Sequence, residues 1–422
     1  MLDIKLLRDN PDYIIERLSV KNFDAKDIVK DILELDMLKR GRQTELDSLL
    51  SEQNKIAKEI GLLMKEGKKA EAEEIKSKVA ELKERSKIVE EKMERCGADL
   101  EEKLVQLPNL PHKSVPNGKS AEDNIVVREG GLVPKLRIAL PHWELAKRYD
   151  IIDFDLGVKL TGAGFPVYKG KGAKLQRALI SFFLDMNIEA GYSEFQSPLM
   201  VNEASAYGTG QLPDKGEQMY HIGLDNFYMI PTAEVPITNI YRDSIVRAEE
   251  LPIKMTAYTP CFRREAGSYG KDVRGLNRLH QFDKVEIVQI TTPENSYDAL
   301  DCMVLHVEKL IGSLGLPYRI LRLCGGDISF TSALTYDFEV YSKAQERWLE
   351  VSSVSNFETF QSNRLKLRIK DEGGKTRFAH TLNGSSLALP RIVAALLENN
   401  QDENGISIPE VLQSYTGYSK ID

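Results

Sequence analysis

The sequence predicts an α+β protein, in which an N-terminal antiparallel helical hairpin precedes a domain with a largely antiparallel β-sheet flanked by helices. Two heptad seams before residue 105, a proline-containing break after them, and β-type runs interspersed with helical stretches lead to this prediction. With 422 residues, the chain is long enough for two or three domains and a large buried core.

The first heptad seam begins at Ile32. Its apolar members recur at spacings of three and four and are Ile32, Leu35, Leu46, Leu49, Ile56, Ile60 and Leu63. Lys39, Arg42 and Gln53 also occupy seam positions, which weakens the packing locally and indicates register control or a seam that ends near water. The pattern stops at Gly67.

A second seam runs with unbroken spacing through Ile75, Val79, Leu82, Ser86, Val89, Met93, Cys96 and Leu100. Because only residues 65–69 separate the two seams, the helices must run in opposite directions. We therefore predict an N-terminal domain over residues 1–107 with a coiled-coil arm at about 28–105.

The outer faces of this arm are rich in basic residues. These charges, with their acidic neighbours, favour a solvated coiled-coil surface over an RNA-binding face when they are considered alone. The basic residues are Lys55, Lys58, Lys65, Lys68, Lys69, Lys76, Lys78, Lys83, Arg85, Lys87 and Arg95.

Prolines after the second seam mark a domain boundary. Pro108, Pro111 and Pro116 remove backbone donors and disfavour helix in the residues before them, so residues 108–125 are predicted to be a linker. The remaining residues, 126–422, form the second predicted domain. Its β-type runs include residues 227–230 and 285–290, and residues 175–191 have a helical pattern.

Several classes of protein are disfavoured by the sequence. No apolar run approaches the 18 or so residues of a membrane span, and the first five residues lack the order of a secretory signal, so we expect a cytoplasmic protein without a membrane role. The net charge of −7 limits any RNA contact to local patches. A dinucleotide-binding glycine motif and a Walker phosphate loop are both missing from the sequence.

The four cysteines, Cys96, Cys261, Cys302 and Cys324, are scattered and form no C-x-x-C pair. This spacing favours reduced thiols over a disulfide framework or a zinc site.

The densest polar stretch runs from Phe262 to Phe282 and contains Arg263, Arg264 and several glycines. Guanidinium groups bind phosphate oxygens bidentately, and glycines let a backbone approach a ligand closely. An exposed hairpin with ion pairs would have a similar composition. Phe282 could stack on a base, although an aromatic residue beside a strand more often belongs to a core.

A second candidate stretch spans residues 381–391 and leads into an apolar helix. Arg391 lies at the start of that helix, where helix amides would assist an arginine in binding a polyphosphate. Ser385 in this stretch also suits a simple turn or cap. Two smaller clusters, Thr232-Ala233-Glu234 and Glu350-Val351-Ser352-Ser353, are individually compatible with surface loops.

Taken in order, these stretches resemble the bacterial type of the seryl-tRNA synthetase family, which belongs to the class II aminoacyl-tRNA synthetases. The resemblance covers nearly the whole chain. Residues 191–199 are similar to the dimer-forming motif 1, residues 262–286 to motif 2, and residues 383–391 to motif 3. Residues 230–236 and 350–361 resemble two further family segments.

This resemblance implies a class II catalytic domain that binds ATP in a bent form with Mg²⁺. Arg263 would hold the α-phosphate, Glu265 the adenine amino group and Arg391 the γ-phosphate, and these are the three residues assigned to catalysis. Phe282 would stack on adenine, and Glu350 with Ser353 would hold the metal. The full implied ATP set is Arg263, Arg264, Glu265, Leu279, Phe282, Glu350, Val351, Ser352, Ser353 and Arg391.

For the amino acid, the resemblance implies a serine site formed by Thr232, Ala233, Glu234, Glu286 and Ser385. Carboxylates suit this role because they bind an ammonium group and accept a hydrogen bond from a hydroxyl. The implied product is seryl-tRNA(Ser), with tRNA(Sec) as a further substrate, made by a homodimer whose arm reaches the long variable arm of the tRNA. In that context the basic arm surface is expected to bind RNA.

The chain departs from the usual family pattern at Arg264, Val354, Ser386 and Leu389-Pro390. Two other functions remain open. The first is a related enzyme that activates a small amino acid and loads it onto a carrier protein or acts in regulation; the intact hairpin argues against the carrier-loading version. The second is a non-enzymatic coiled-coil interaction protein, against which the complete motifs 2 and 3 argue.

Overall fold

The structure is a computed structural model that describes residues 1–136, 139–214, 217–265 and 274–422. Residues 266–273, in the middle of the predicted phosphate-binding stretch, lie outside the described residues. The chain divides into two compact units. The helical unit comprises residues 2–19 and 23–108, and the sheet unit comprises residues 1, 20–22 and 109–422.

The helical unit contains α1 (Ile4–Asp9), α2 (Pro11–Ser19), α3 (Lys26–Lys65) and α4 (Lys69–Leu104). Contacts between the two long helices pair early residues of α3 with late residues of α4: Asp31 meets Lys103, and Arg42 meets Cys96. The predicted antiparallel hairpin, with its turn at residues 65–69, is therefore confirmed.

Polar residues in the hairpin seam bridge the two helices. The Arg42 Nη1 atom donates to the Lys92 carbonyl oxygen at 2.6 Å, and Gln53 Nε2 donates to the Leu82 carbonyl oxygen and to Ser86 Oγ at 3.0 Å each. Each hydrogen bond joins a particular helical turn of α3 to a particular turn of α4. A shift in register would break them, which supports register control as the role of these seam positions.

One buried seam residue is not anticipated by the heptad pattern. Asp36 is only 4% exposed, and its Oδ2 atom lies 2.9 Å from Arg40 Nε and 3.3 Å from Arg8 Nε. Arg8 belongs to α1, so this ion pair connects the first helix to the base of the hairpin. A charge is tolerated at this depth because two guanidinium groups compensate it.

The sheet unit alternates helices and strands. Its helices are α5 (His142–Arg148), α6 (Phe154–Leu160), α7 (Gly170–Glu189), α8 (Glu203–Thr209), α9 (Glu234–Asn239), α10 (Ser296–Ser313), α11 (Phe360–Leu365), α12 (Leu389–Asn399) and α13 (Glu410–Thr416). Its strands are β1 (Ile125–Gly130), β2 (Ile152–Asp153), β3 (Val167–Tyr168), β4 (Ser193–Glu194), β5 (Met200–Asn202), β6 (His221–Ile222), β7 (Phe227–Met229), β8 (Ile245–Arg247), β9 (Ile253–Phe262), β10 (Gln281–Thr291), β11 (Tyr318–Arg322), β12 (Leu334–Ser342), β13 (Arg347–Asn356), β14 (Arg368–Lys370), β15 (Thr376–Phe378), β16 (His380–Ala388), β17 (Gln401–Asp402), β18 (Gly405–Ser407) and β19 (Lys420–Ile421).

The main sheet has the strand order β1-β11-β12-β13-β16-β10-β9-β4. Its neighbours are antiparallel except for the short β4, which runs parallel to β9. This confirms the α+β class and the largely antiparallel sheet. Smaller sheets are formed by β5-β7-β6, β15-β14-β8, β17-β18-β19 and the pair β2-β3.

The core of the sheet unit lies between one face of the main sheet and helices α7, α10 and α12. On β10, Val285 and Ile287 are fully buried in this core. Because side chains alternate along a strand, Lys284 and Glu286 face the other side of the sheet. There Ala233 and residues of α9 pack against β9 and β10 in a second apolar cluster.

The segment predicted as a linker packs against the sheet unit over most of its length. Asn109 is 3% exposed, and its Nδ2 atom donates to the carbonyl oxygens of Thr331 and Phe357 at 2.9 and 2.8 Å. Val115 is part of the main core. Proline therefore ends the helical pattern near residue 108, and the chain then follows the surface of the second unit.

Within the described part of the chain, none of the helices has both the length and the apolar character required to cross a bilayer. All four cysteines carry free thiols, three of them buried and Cys302 exposed.

Core packing in the sheet unit leads to a first prediction. Phe183 on α7 is fully buried, so Phe183→Ala should lower the free energy of unfolding by about 3–5 kcal/mol through lost burial and a residual cavity. Phe227, which is 41% exposed, provides a matched control, and Phe227→Ala should cost less than about 1 kcal/mol. Urea titrations followed by circular dichroism measure both, and equal losses would contradict this description of the core.

Candidate active site

Several of the predicted site residues lie on the sheet face opposite helices α7, α10 and α12. Glu286 on β10 is paired directly with Ser385 on β16, and with Ala257 on β9. Phe282 precedes Glu286 by four residues on the same strand and therefore points to the same face. Arg263 follows directly after the end of β9. Residues more than 100 positions apart in the sequence are thus brought to one surface by strand pairing.

Two buried carboxylates form one end of this surface. Glu286 is 1% exposed, and its Oε2 atom lies 2.7 Å from Lys284 Nζ and accepts a hydrogen bond from Ser385 Oγ at 3.4 Å. Glu234, at the start of α9, is 6% exposed and accepts from Gln361 Nε2 at 2.6 Å. Thr232 Oγ1 accepts from the Glu234 backbone amide at 3.3 Å.

Electrostatics favour a positively charged ligand in this pocket. Burial, together with the nearby Glu286 carboxylate, raises the pKa of Glu234 to about 7. Lys284 supplies one positive charge against the two carboxylates. An ammonium group placed beside Glu234 would supply a second positive charge and favour ionisation of that carboxyl group.

A second group of residues lies at the junction of β9 and β10. The Arg263 backbone amide donates to the His280 carbonyl oxygen at 2.9 Å, its Nε donates to the Pro231 carbonyl oxygen at 3.4 Å, and its guanidinium carbon lies 5.2 Å from the centre of the Phe282 ring. Phe282 is half-buried and packs against the main core. The ring therefore rests on the core, as one of the two sequence interpretations has it, and it also lies beside the Arg263 guanidinium group; its stacking on a base stays a prediction.

Glu265 and Arg278 form an ion pair across the start and end of the predicted motif 2 loop, with 2.9 Å between Oε2 and Nη1. The Arg264 backbone amide donates to the Gln218 carbonyl oxygen at 2.8 Å. Leu279 is 5% exposed and belongs to the core, so its side chain does not project into the open site.

Arg391, in the first turn of α12, connects β13 to the chain before β10. Its Nη1 atom donates to the Glu350 carbonyl oxygen at 2.7 Å and lies 3.8 Å from Glu350 Oε2, while its Nε donates to the Asn277 carbonyl oxygen at 3.2 Å. The guanidinium group is thus held from two sides. The Glu350 carboxylate is half exposed and open to a ligand.

Another carboxylate, Asp337 on β12, joins this end of the site. Ser353 Oγ donates to Asp337 Oδ1 at 2.6 Å. Burial, followed by repulsion from the Glu350 carboxylate, raises the pKa of Asp337 well above its usual range. Carboxylate and hydroxyl oxygens are donors that suit Mg²⁺. Because no group of three or more Asp, Glu, His or Cys side chains is arranged for a metal in the described ranges, Mg²⁺ would take its remaining ligands from phosphate and water.

Some predicted site residues have side chains that pack into the core or hydrogen bond to a neighbouring strand instead of projecting into the site. Val351 and Ala233 pack into apolar clusters, and Ser352 Oγ donates to the Ser385 carbonyl oxygen at 2.6 Å. The departures from the family pattern have similar roles. Val354 packs against Gly384, Ser386 Oγ donates to Asn187 Oδ1 at 2.8 Å, and Leu389-Pro390 begins α12.

The sequence interpretation assigned no role to Lys284, Gln361 or Asp337. Lys284 could have been found from strand alternation, since it lies two residues before Glu286. Gln361 and Asp337 have no such local signal, because each acts on a residue that is distant in sequence: Gln361 on Glu234, and Asp337 on Ser353.

Comparisons with known proteins agree with this geometry. Residues 1–111 match the model of the seryl-tRNA synthetase N-terminal domain, and residues 220–400 match that of the tRNA synthetase class II core domain (G, H, P, S and T). The serine–tRNA ligase of Salinibacter ruber is 52% identical over 100% of this chain and 99% of its own length. That of Akkermansia muciniphila is 46% identical over 99% and 98%.

A solved structure is similar over the same extent. The seryl-tRNA synthetase of Pyrococcus horikoshii, crystallised with ATP, superposes with a TM-score of 0.92 at 33% identity, covering 100% of this chain and 99% of the other. Both the helical unit and the sheet unit lie within these matches. The chain therefore belongs to the seryl-tRNA synthetase family of class II aminoacyl-tRNA synthetases.

Proposed function

We propose that this chain activates L-serine with ATP to form seryl-adenylate and diphosphate, and then transfers serine to tRNA(Ser) and to tRNA(Sec), releasing AMP. The observation that carries the proposal is the shared sheet face. On it, a buried acidic pocket around Glu234 and Glu286 adjoins the Arg263–Phe282 pair, while Arg391 lies beyond on α12.

In the first step, the serine ammonium group binds at the acidic pocket formed by Thr232, Glu234 and Glu286, and the serine hydroxyl contacts Glu286 and Ser385. An oxygen of the serine carboxylate attacks the α-phosphorus, and diphosphate leaves. The attacking group comes from the substrate, so no protein nucleophile is required. The protein contributes position and fixed charge, which are effective because the groups are already held before substrate arrives.

The nucleotide lies along the remaining residues. Arg263 holds the α-phosphate, Phe282 supports the adenine ring, Glu265 binds the adenine amino group, and Arg391 holds the γ-phosphate. Glu350 and Ser353, together with Asp337, would hold Mg²⁺, which neutralises phosphate charge when bound. The second step needs a tRNA terminal hydroxyl, which takes the seryl group from the adenylate.

Selectivity for serine follows from hydrogen bonding and size. Alanine and glycine lack the hydroxyl, so they would leave the buried polar groups around Glu286 and Ser385 unpaired at a cost of about 1–3 kcal/mol. Threonine keeps the hydroxyl and must be excluded because its extra methyl group lacks room. The family context further supports a cytoplasmic homodimer without zinc, whose arm binds the variable arm of the tRNA through shape and phosphate contacts.

The deciding experiment is ATP–diphosphate exchange with serine, threonine, alanine and glycine, followed by charging of tRNA(Ser) and tRNA(Sec). We expect exchange with serine and charging of both tRNAs. Preference for glycine or alanine would refute the assignment and favour a carrier-loading enzyme. No exchange with any amino acid would favour a non-enzymatic interaction protein.

Removal of the α-phosphate arginine should abolish most activity. Arg263→Ala is expected to lower kcat/KM for serine activation by about 10²–10³-fold, because a fixed positive charge at the reacting phosphate is lost. Arg247→Ala, at an arginine side chain that is 63% exposed on β8, is the matched control and should stay within about twofold of wild type. Equal activities for the two variants would disprove the role of Arg263.

The raised pKa of Glu234 predicts that this residue lowers the free energy of unfolding of the ligand-free protein by an amount that depends on pH. The pKa of Glu234 is about 7 in the folded protein and 4.5 in an unfolded chain. The destabilisation is therefore absent below pH 4.5, grows as the pH rises, and reaches its full size above pH 7. Its size is on the order of 3 kcal/mol. Glu234→Gln should therefore raise the Tm relative to wild type more at pH 8 than at pH 5. A Tm difference that is independent of pH would contradict this prediction.

We expect the coiled-coil arm to be required for transfer of serine to tRNA and not for serine activation. Replacing residues 32–100 by a short glycine turn is feasible because α3 and α4 lie side by side at the base of the hairpin, where Lys103 Nζ is 2.9 Å from Asp31 Oδ2. The shortened protein should keep serine-dependent exchange within about threefold and lose at least about 100-fold in tRNA charging, as expected when several phosphate contacts are removed. Equal loss of both activities would show that the arm supports the catalytic unit instead.

A further inference from the structure

A buried histidine–glutamate pair lies outside the residues assigned to substrates. His142 begins α5 and Glu398 lies in the last turn of α12, and both side chains are fully buried. His142 Nδ1 is 2.7 Å from Glu398 Oε1, and the His142 backbone amide donates to the same oxygen at 3.0 Å. The Ser342 hydroxyl and Gln345 Nε2 also donate to this carboxylate.

The other ring nitrogen of His142 contacts the returning segment of motif 2. His142 Nε2 lies 2.8 Å from the backbone nitrogen of Leu276, which can only donate. Nε2 must therefore be the acceptor, and the ring proton must lie on Nδ1, where it meets Glu398. The carboxylate thus selects the tautomer that can hold the Leu276 amide.

The same segment is tied to the arginine assigned to the γ-phosphate. The Asn277 carbonyl oxygen accepts from Arg391 Nε at 3.2 Å, and Asn277 Nδ2 donates to Gln345 Oε1 at 2.9 Å. Arg391 and Glu398 are seven residues apart on α12, which places them two helical turns apart on one side. The contacts therefore form a closed ring from α12 through His142 to residues 276–277 and back to α12.

The fit around His142 is close. Gly275 has a φ of +67°, and a Cβ atom added there would lie 2.2 Å from His142 Nε2. Neither the backbone conformation nor the available space admits a side chain at this position. The segment consequently has one position relative to the imidazole ring.

We infer that His142, held by Glu398, is a positioning residue that fixes residues 275–280 against Arg391. The same segment leads to Arg278, which pairs with Glu265, and to Phe282. This closed set of contacts therefore sets the spacing between the adenine end and the γ-phosphate end of the ATP site. Among the described residues, the carboxylates of Glu234 and Glu286 contact Gln361, Lys284 and Ser385, outside this network, so serine binding should not depend on it. This inference rests on the proposed function.

Two substitutions of His142 each remove one of the two hydrogen bonds of its imidazole ring and keep the other. In His142→Gln, the amide oxygen can lie where Nε2 lies and keep the Leu276 contact. In His142→Asn, the amide nitrogen can lie where Nδ1 lies and keep only the Glu398 contact. His142→Asn leaves the Leu276 amide unpaired, and we expect its KM for ATP in serine-dependent exchange to rise about tenfold. His142→Gln should stay within about threefold, and the KM for serine should stay within about twofold in both variants.

The matched control is His380→Gln, which by the same geometry gives up another buried histidine hydrogen bond, the 2.8 Å contact from His380 Nδ1 to Ser296 Oγ. It should leave both KM values unchanged. Circular dichroism melts verify that each variant is folded. If His142→Asn does not fold, Glu398→Gln replaces it, with an expected rise in the KM for ATP of about threefold or more from loss of the charged acceptor.

The outcomes are distinct. A wild-type protein without serine-dependent exchange would refute the proposed function. With an active wild type, equal KM values for ATP in His142→Asn and His142→Gln, or a parallel rise in the KM for serine, would overturn the inference and leave His142 with a packing role. An unchanged KM for ATP in folded Glu398→Gln would overturn it as well.

Discussion

The two-sided character of strand β10 is the constraint on which the site depends. Its alternate residues Val285 and Ile287 fill the core against the helices, while Phe282, Lys284 and Glu286 face the opposite side. The same backbone that is anchored by the core therefore fixes the site residues. A slip of one residue in pairing would exchange the two sets and bury the charges among apolar helices.

Charge in the site is arranged for ligands more than for the stability of the free protein. Glu234 beside Glu286, and Asp337 beside Glu350, are carboxylate pairs whose repulsion and burial raise a pKa. A cation placed at either pair would relieve this cost, which is why the proposed function assigns the serine ammonium group to the first pair and Mg²⁺ to the second.

The helical unit uses polar groups for a different purpose. Arg42 and Gln53 replace apolar seam residues, but each hydrogen bonds across the hairpin to the facing helix. Such contacts hold one register in a long two-helix arm, in which apolar packing alone would permit shifts by a heptad. Asp36 performs a comparable task at the base, where two arginines from different helices meet it.

The sequence by itself determined the hairpin, its turn, the α+β class and the order of the site segments, because heptad spacing, alternation and motif chemistry are local properties. It also predicts members for a serine set and an ATP set, and both their membership and their individual roles remain predictions. Strand pairing decided which of these side chains face the site: Glu286 and Ser385 meet, whereas Val351 and Leu279 turn toward the core. The partnerships of Asp337, Gln361 and His142 span long separations in sequence, and no periodic pattern encodes them. Only the tertiary structure could reveal them, because burial, hydrogen-bond geometry and repulsion between charges exist only once distant segments are brought together.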